Sequence, residues 1–177
     1  MLPNPRIFLL LFLSIVLIGI AEMMPLALTS TSVQQEERFM AILNGSEVSP
    51  PINTDATGEA NFILLREQPI RLSYNVSVTG IDGNSNNVTR IHLHNGISGF
   101  NGTVIAELPI IQGQKRNGIL AFGNLNGSSN FSNELSGKGD LAISSLINYT
   151  DNDRVYVDIH TMDNPNGELR GQVSRLP

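Results

Sequence analysis

Cysteine is absent from all 177 residues. That removes disulfides, thiolate metal sites and cysteine nucleophiles at once. Positive charge is scarce as well. Eleven Lys and Arg stand against sixteen Asp and Glu, for a net charge of -5, and the basic residues form no block. The electrostatic footprint of a nucleic-acid-binding protein is missing, so no such partner is expected. Catalytic signatures are missing too: there is no Gly-x-Ser-x-Gly elbow and no His-Glu-x-x-His pair. The Gly-rich stretch Asn95 to Gly102 lacks the Gly-Lys-Ser/Thr ending and the following helix of a phosphate loop. Histidine is rare, with three in the whole chain.

What is present begins with Arg6 and an apolar stretch from Ile7 to Ala21. A basic residue followed by about fifteen mostly apolar ones has the form of a secretory signal. Glu22, Met23, Met24 and Pro25 blur the cleavage side. Left uncut, the segment approaches the length of a membrane-spanning helix, so residues 1–28 read as a signal peptide or a membrane anchor. Residues 7–28 are then the only expected membrane contact. Residues 29–37 are a polar lead-in, and residues 38–177 are one domain of about 140 residues. The protein is expected outside the cell or on the outer face of its membrane. Seven Asn-x-Ser/Thr triplets fit export, at Asn44, Asn75, Asn87, Asn101, Asn126, Asn130 and Asn148. Asn75 sits in an alternating run, Leu72 to Val78, that puts it on the solvent side.

The domain reads as strands joined by turns. Segments 39–43, 58–65, 70–78, 89–94, 103–108, 118–122, 154–161 and 168–173 have strand-like alternation or β-branched content, bounded by Gly, Asn and Pro. Pro50 and Pro51 confine their neighbourhood to an edge loop. Asp140 to Ile147 suits a short helix or a bend, and Leu125 to Leu135 looks polar and exposed. About eight strands with almost no helix predict an all-β fold, a Greek-key β-sandwich or barrel.

Within that frame the histidines converge. His92 and His94 are two apart on one strand, so both imidazoles leave the same face while Ile91 and Leu93 take the other. His160 lies on a later strand. If the strands are neighbours, the three form a metal site of a kind that suits copper or zinc. The bland alternative is that they hydrogen-bond to the Gly-rich loop and to the turn at Asn164. Asp158 shares a face with His160 by parity. It is either an acceptor that fixes the imidazole tautomer or an ordinary exposed residue. Asn164, Pro165 and Gly167 read as turn chemistry, and Glu168 and Arg170 as an ion pair on one strand face.

Four blocks also resemble a known family. Phe39-x-Ala41-x-Leu43-x-Gly45-x-Glu47-Val48 with Pro50-Pro51 is the first, and Gly58-x-Ala60-x-Phe62 and His92-x-His94-x-Gly96 follow. The last runs from Val157 through Ile159-His160-Thr161 and Asn164-Pro165-x-Gly167-Glu168-x-Arg170-Gly171-Gln172. Together, from Arg38 to Val173, they look like the CHRD domain, named after chordin and also found singly in secreted microbial proteins. The resemblance implies an extracellular, immunoglobulin-like β domain that acts as a binding module. Its partner would be an unknown extracellular protein or envelope component. A looser similarity links His92-x-His94 and a distant histidine to the copper ligands of copper/zinc superoxide dismutases. The bridging histidine, zinc-ligand cluster and cysteine pair of those enzymes are missing, so only the idea of a His-lined copper or zinc site carries over. The expectation is a binding module rather than an enzyme.

Overall fold

The computed structural model describes residues 36–81, 87–112, 117–126, 128–129, 131–132, 135 and 140–177. The signal or anchor segment, nearly all of the lead-in and the triplet at Asn130 lie outside the described residues. Among the described residues no helix is long and apolar enough to cross a membrane.

Among the described residues the domain has nine strands, one α-helix and a single 3-10 turn at Gly45–Glu47. The strands and the helix are β1 (Glu37–Asn44), β2 (Thr57–Leu65), β3 (Arg71–Thr79), β4 (Val88–Asn95), β5 (Thr103–Glu107), β6 (Gly118–Leu125), α1 (Asp140–Asp151), β7 (Val155–Thr161), β8 (Leu169–Gln172) and the two-residue β9 (Ser174–Arg175). Alternation sets the faces. Along β3, Leu72, Tyr74, Val76 and Val78 are buried while Ser73, Asn75 and Ser77 point outward. In β2, Ala60, Phe62 and Leu64 do the same. Asn75 therefore lies on the outer face, where the sequence pattern puts it.

The strands join one antiparallel sheet in the order β5-β4-β7-β8-β1-β2-β3-β6, with β9 on the flank of β1. It curls into a half-barrel around a single apolar core. Among the described residues the strands form one sheet, and two separate facing sheets are not seen. A physical reason is α1, which the sequence left as a helix or a bend. Ala142, Ile143, Leu146 and Ile147 on one face of it enter the same core as Phe39, Phe62 and Leu93, and so cover apolar surface that a second sheet would otherwise cover. In the stretch from Leu125 to Leu135, Leu125 and Leu135 are buried, while Ser128 is exposed.

Leu146, Phe39, Phe62, Leu93 and Val155 are among the side chains that line one small apolar gap beneath the helix. Leu146→Ala should cost about 2–5 kcal/mol, because the helix cannot collapse onto the sheet to fill the void. Leu141, 66 % exposed on the opposite side, should change by less than about 0.5 kcal/mol when cut to Ala. Urea denaturation of the two variants against wild type measures the difference.

Candidate metal centre

Strands β4 and β7 are neighbours, although some sixty residues separate them in the chain. Their antiparallel register places His92 opposite Asp158, His94 opposite Tyr156 and Arg90 opposite His160. Directly opposed residues share a face. Ile91, Leu93, Val157 and Ile159 go into the core, so the three histidines, Tyr156 and Asp158 all stand on the outer face.

That outer face is not left to solvent here, because the Gly-rich loop 96–102 folds back over it. Arg170 on β8, 1 % exposed, holds the loop. Its Nη2 donates to the carbonyls of Ile97 at 3.0 Å and Phe100 at 2.9 Å, and its guanidinium carbon lies 3.6 Å from the centroid of the Tyr156 ring. Gln172 Nε2 donates to the Gly96 carbonyl, and the Tyr156 hydroxyl accepts from the Gly102 amide at 3.0 Å. Gly102 itself has no room for a side chain: a Cβ there would lie 1.8 Å from the Asn95 carbonyl oxygen. Only glycine lets the loop close over His94.

The rings come together. Centroids are 5.6 Å apart for His92 and His94, 5.0 Å for His92 and His160, and 6.4 Å for His94 and His160. One nitrogen from each ring lies within 4.8 Å of those of the other two. A point central to such a triangle is at most about 2.8 Å from each donor, against the ~2.0–2.1 Å of a zinc–imidazole bond. Modest side-chain rotation closes the gap. Two rings are held from behind, His94 Nδ1 by the Gly102 carbonyl at 3.1 Å and His160 Nδ1 by the Pro165 carbonyl at 3.0 Å. A carbonyl can only accept, so each Nδ1 carries the proton and each Nε2 keeps its lone pair. Those two Nε2 atoms, together with His92 Nδ1, are buried without a hydrogen-bond partner. The bland expectation, bonding to the loop and to the Asn164 turn, is thus met by one side of His94 and of His160, and the other sides of those rings face the cluster.

Burial keeps His92 and His94 neutral. Burial, reinforced by the nearby His160, lowers the His92 pKa to about 4. Burial lowers that of His94 to about 4 as well, against the opposing pull of the Gly102 carbonyl. Both rings are therefore unprotonated at neutral pH, the form a metal binds. His94 also stacks nearly parallel on Tyr156, with centroids 4.7 Å apart.

The remaining expected residues fall close by, in roles only partly foreseen. Asp158 is 6 % exposed rather than an ordinary surface residue, because the Asn164 turn covers it. Its Oδ2 lies 4.0 Å from His160 Nε2, the ring nitrogen facing the cluster, so it does not fix the tautomer; the Pro165 carbonyl does that. Burial pushes its carboxyl pKa up, against the pull of His160 and Arg170. Glu168 accepts from Thr54, Thr161 and Asn164, tying the 45–56 segment and the turn together, while Arg170 serves the loop. Gly167 has a φ of 129°. A Cβ there would also meet Asp158 Oδ1 at 2.8 Å. Sequence reasoning named the loop and the turn as partners but not the particular Gly102 and Pro165 carbonyls, since backbone acceptors leave no mark on residue identity. The partnership of Tyr156 with His94 was open to the parity argument alone.

The lowered pKa values give stability a pH dependence. In the unfolded chain His92 and His94 titrate near 6.5, so between that value and about 4 the unfolded state holds protons the folded state refuses. Their contribution is undiminished above pH 6.5 and is lost progressively as pH falls toward 4. In metal-free protein the urea midpoint should drop over this window more steeply for wild type than for His92→Gln/His94→Gln. Equal slopes would show that the rings are not buried neutral.

Comparison with known proteins adds a family and little else. Residues 39–173 match the CHRD domain. No curated protein and no solved structure matches the chain. The match spans β1 to the end of β8 and includes the three histidines, the loop they back onto and the Arg170 that fastens it. The chain belongs to the CHRD domain family.

Proposed function

We propose that this domain is a metal-binding module that works outside the cell, with His92, His94 and His160 as ligands of a copper or zinc ion. One observation carries the reading. Three buried imidazole nitrogens from separate positions of β4 and β7 have no protein partner, and two of those rings are fixed from behind by backbone carbonyls. Buried polar atoms are normally bonded, and three orphans grouped in one place mark a ligand to be supplied. Imidazole donors suit copper and zinc, and with no thiolate available the set is purely nitrogen. Copper bound there would bring redox chemistry, and zinc a Lewis acid.

The N-terminal apolar stretch and the Asn-x-Ser/Thr triplets support export. Of the triplets, Asn75 is best placed for a glycan, being outward on β3 with its amide unbonded among the described residues. Asn101 is poorly placed, because its amide donates to the Ser49 carbonyl. Recovery of the native protein from cytoplasm alone would end the export reading. The wider family reading, a module that binds an extracellular protein or envelope component, is favoured by the loop. Phe100 is 67 % and Ile97 49 % exposed there, on backbone that Arg170 holds in place. Attachment to isolated cell envelopes that Phe100→Ser leaves unchanged would count against it.

Metal content of protein isolated without chelator or nickel affinity steps tests the main proposal. Zinc or copper(II) at a hundredfold excess over Kd should stabilise the folded state by about 2.7 kcal/mol. For a domain of this size that is roughly 5–10 °C in Tm. The shift should vanish in His92→Ala/His94→Ala/His160→Ala, and an equal shift in that variant would reassign the binding elsewhere.

A further inference from the structure

We infer that Asp158 is the fourth ligand of this centre, closing a site of three imidazoles and one carboxylate around a divalent ion. The inference rests on the three-histidine reading and extends it. Asp158 shares the outer face with the histidines and stands directly opposite His92. Its Oδ2 is 4.0 Å from His160 Nε2, the ring nitrogen without a protein partner. Two ligands of a tetrahedral zinc are about 3.3 Å apart, as ~2.0–2.1 Å bonds require, so less than about 1 Å of closure is needed toward His160. The carboxylate stands outside the 4.8 Å grouping of the three imidazole donors, so a larger turn of its side chain is needed toward the other two rings.

The carboxylate otherwise has little reason to be where it is. It is 6 % exposed, and its Oδ1 is buried with no hydrogen-bond partner. Its register partner on β8 is Arg170, whose guanidinium turns away to the carbonyls of Ile97 and Phe100 instead. The Ile159 amide donates to it and His160 and Arg170 are near, yet Oδ1 stays unbonded, and an unmet buried carboxylate oxygen is disfavoured. A cation at the histidine cluster would meet it. Space for the carboxylate exists only because position 167 is glycine, since a Cβ there would press on Oδ1.

Two consequences follow for the ligand. Three neutral imidazoles leave a divalent ion its full charge, whereas the carboxylate halves it and favours zinc(II) or copper(II) over the softer copper(I). With the fourth position filled from the protein, no place is left for a reacting water, so the centre binds and holds its metal rather than hydrolysing.

Cobalt(II), whose visible absorption reports its coordination, gives the test on metal-free full-length protein, with azide as the competing anion. Wild type should develop a four-coordinate cobalt spectrum that azide leaves unchanged. Asp158→Ala should bind cobalt at least about tenfold more weakly and show a spectrum that azide shifts, because its fourth position is open. A wild-type spectrum that azide shifts overturns the fourth-ligand assignment while leaving the three-histidine site standing. A variant spectrum indifferent to azide overturns it as well. No cobalt spectrum in wild type overturns both readings together. The wild-type azide titration decides the matter even where the Ala variant fails to fold.

Discussion

The guanidinium of Arg170 is the constraint on which the rest of this structure depends. A fully buried Arg is costly unless its donors are met, and here they are met by the Gly-rich loop rather than by a carboxylate. The loop carbonyls of Ile97 and Phe100 thus gain a fixed donor, and Tyr156 lies under the cation. Without that cation the loop would keep its Gln172 and Tyr156 hydrogen bonds but lose both of its carbonyl ties to Arg170. Because the same loop supplies the carbonyl that orients His94, a charge with no direct contact to the histidines sets the tautomer of one of them.

A second tie does the same for His160. Glu168 binds Thr54, Thr161 and Asn164, and so fastens the turn whose Pro165 carbonyl meets His160 Nδ1. Two charged residues two positions apart, Glu168 just before β8 and Arg170 within it, therefore govern two separate covers, one over each end of the cluster. Most outer faces of antiparallel sheets stay wet and polar. Here only the β4–β7–β8 quarter is roofed, and it holds the buried charges Asp158, Glu168 and Arg170. Burying so much polarity reduces stability relative to an apolar core, and proteins generally tolerate that at sites of function.

Much of this was legible from the chain, and the limits are physical. The strand period alone put His92 and His94 on one face, and Ala60, Phe62, Leu64 and Asn75 on the correct sides, because side-chain direction is a local property of extended backbone. Motif blocks marked Arg170 and Gly167 as special without saying why. Strand adjacency was not legible, since β4 meets β7 only through long-range packing. Nor was the burial of Asp158 or of Arg170, which depends on loops folding over a face that period-two patterning assigns to solvent. Curling into one sheet instead of two was hidden for a similar reason: the sequence of α1 is consistent with a helix but silent on where that helix docks.

The three rings are not equivalent, and the difference bears on how an ion would enter. His94 and His160 are pinned through Nδ1, and their centroids are the farthest apart, at 6.4 Å. His92 lies between them, at 5.6 and 5.0 Å, with its Nδ1 unbonded. Its cross-strand neighbours are Glu107 on one side and Asp158 on the other. Two ligands set in advance cost little conformational entropy when metal arrives, and one left free to rotate can take up the last fraction of an ångström. On the proposed metal reading, the backbone would hold the outer pair and the central ring would complete the closure.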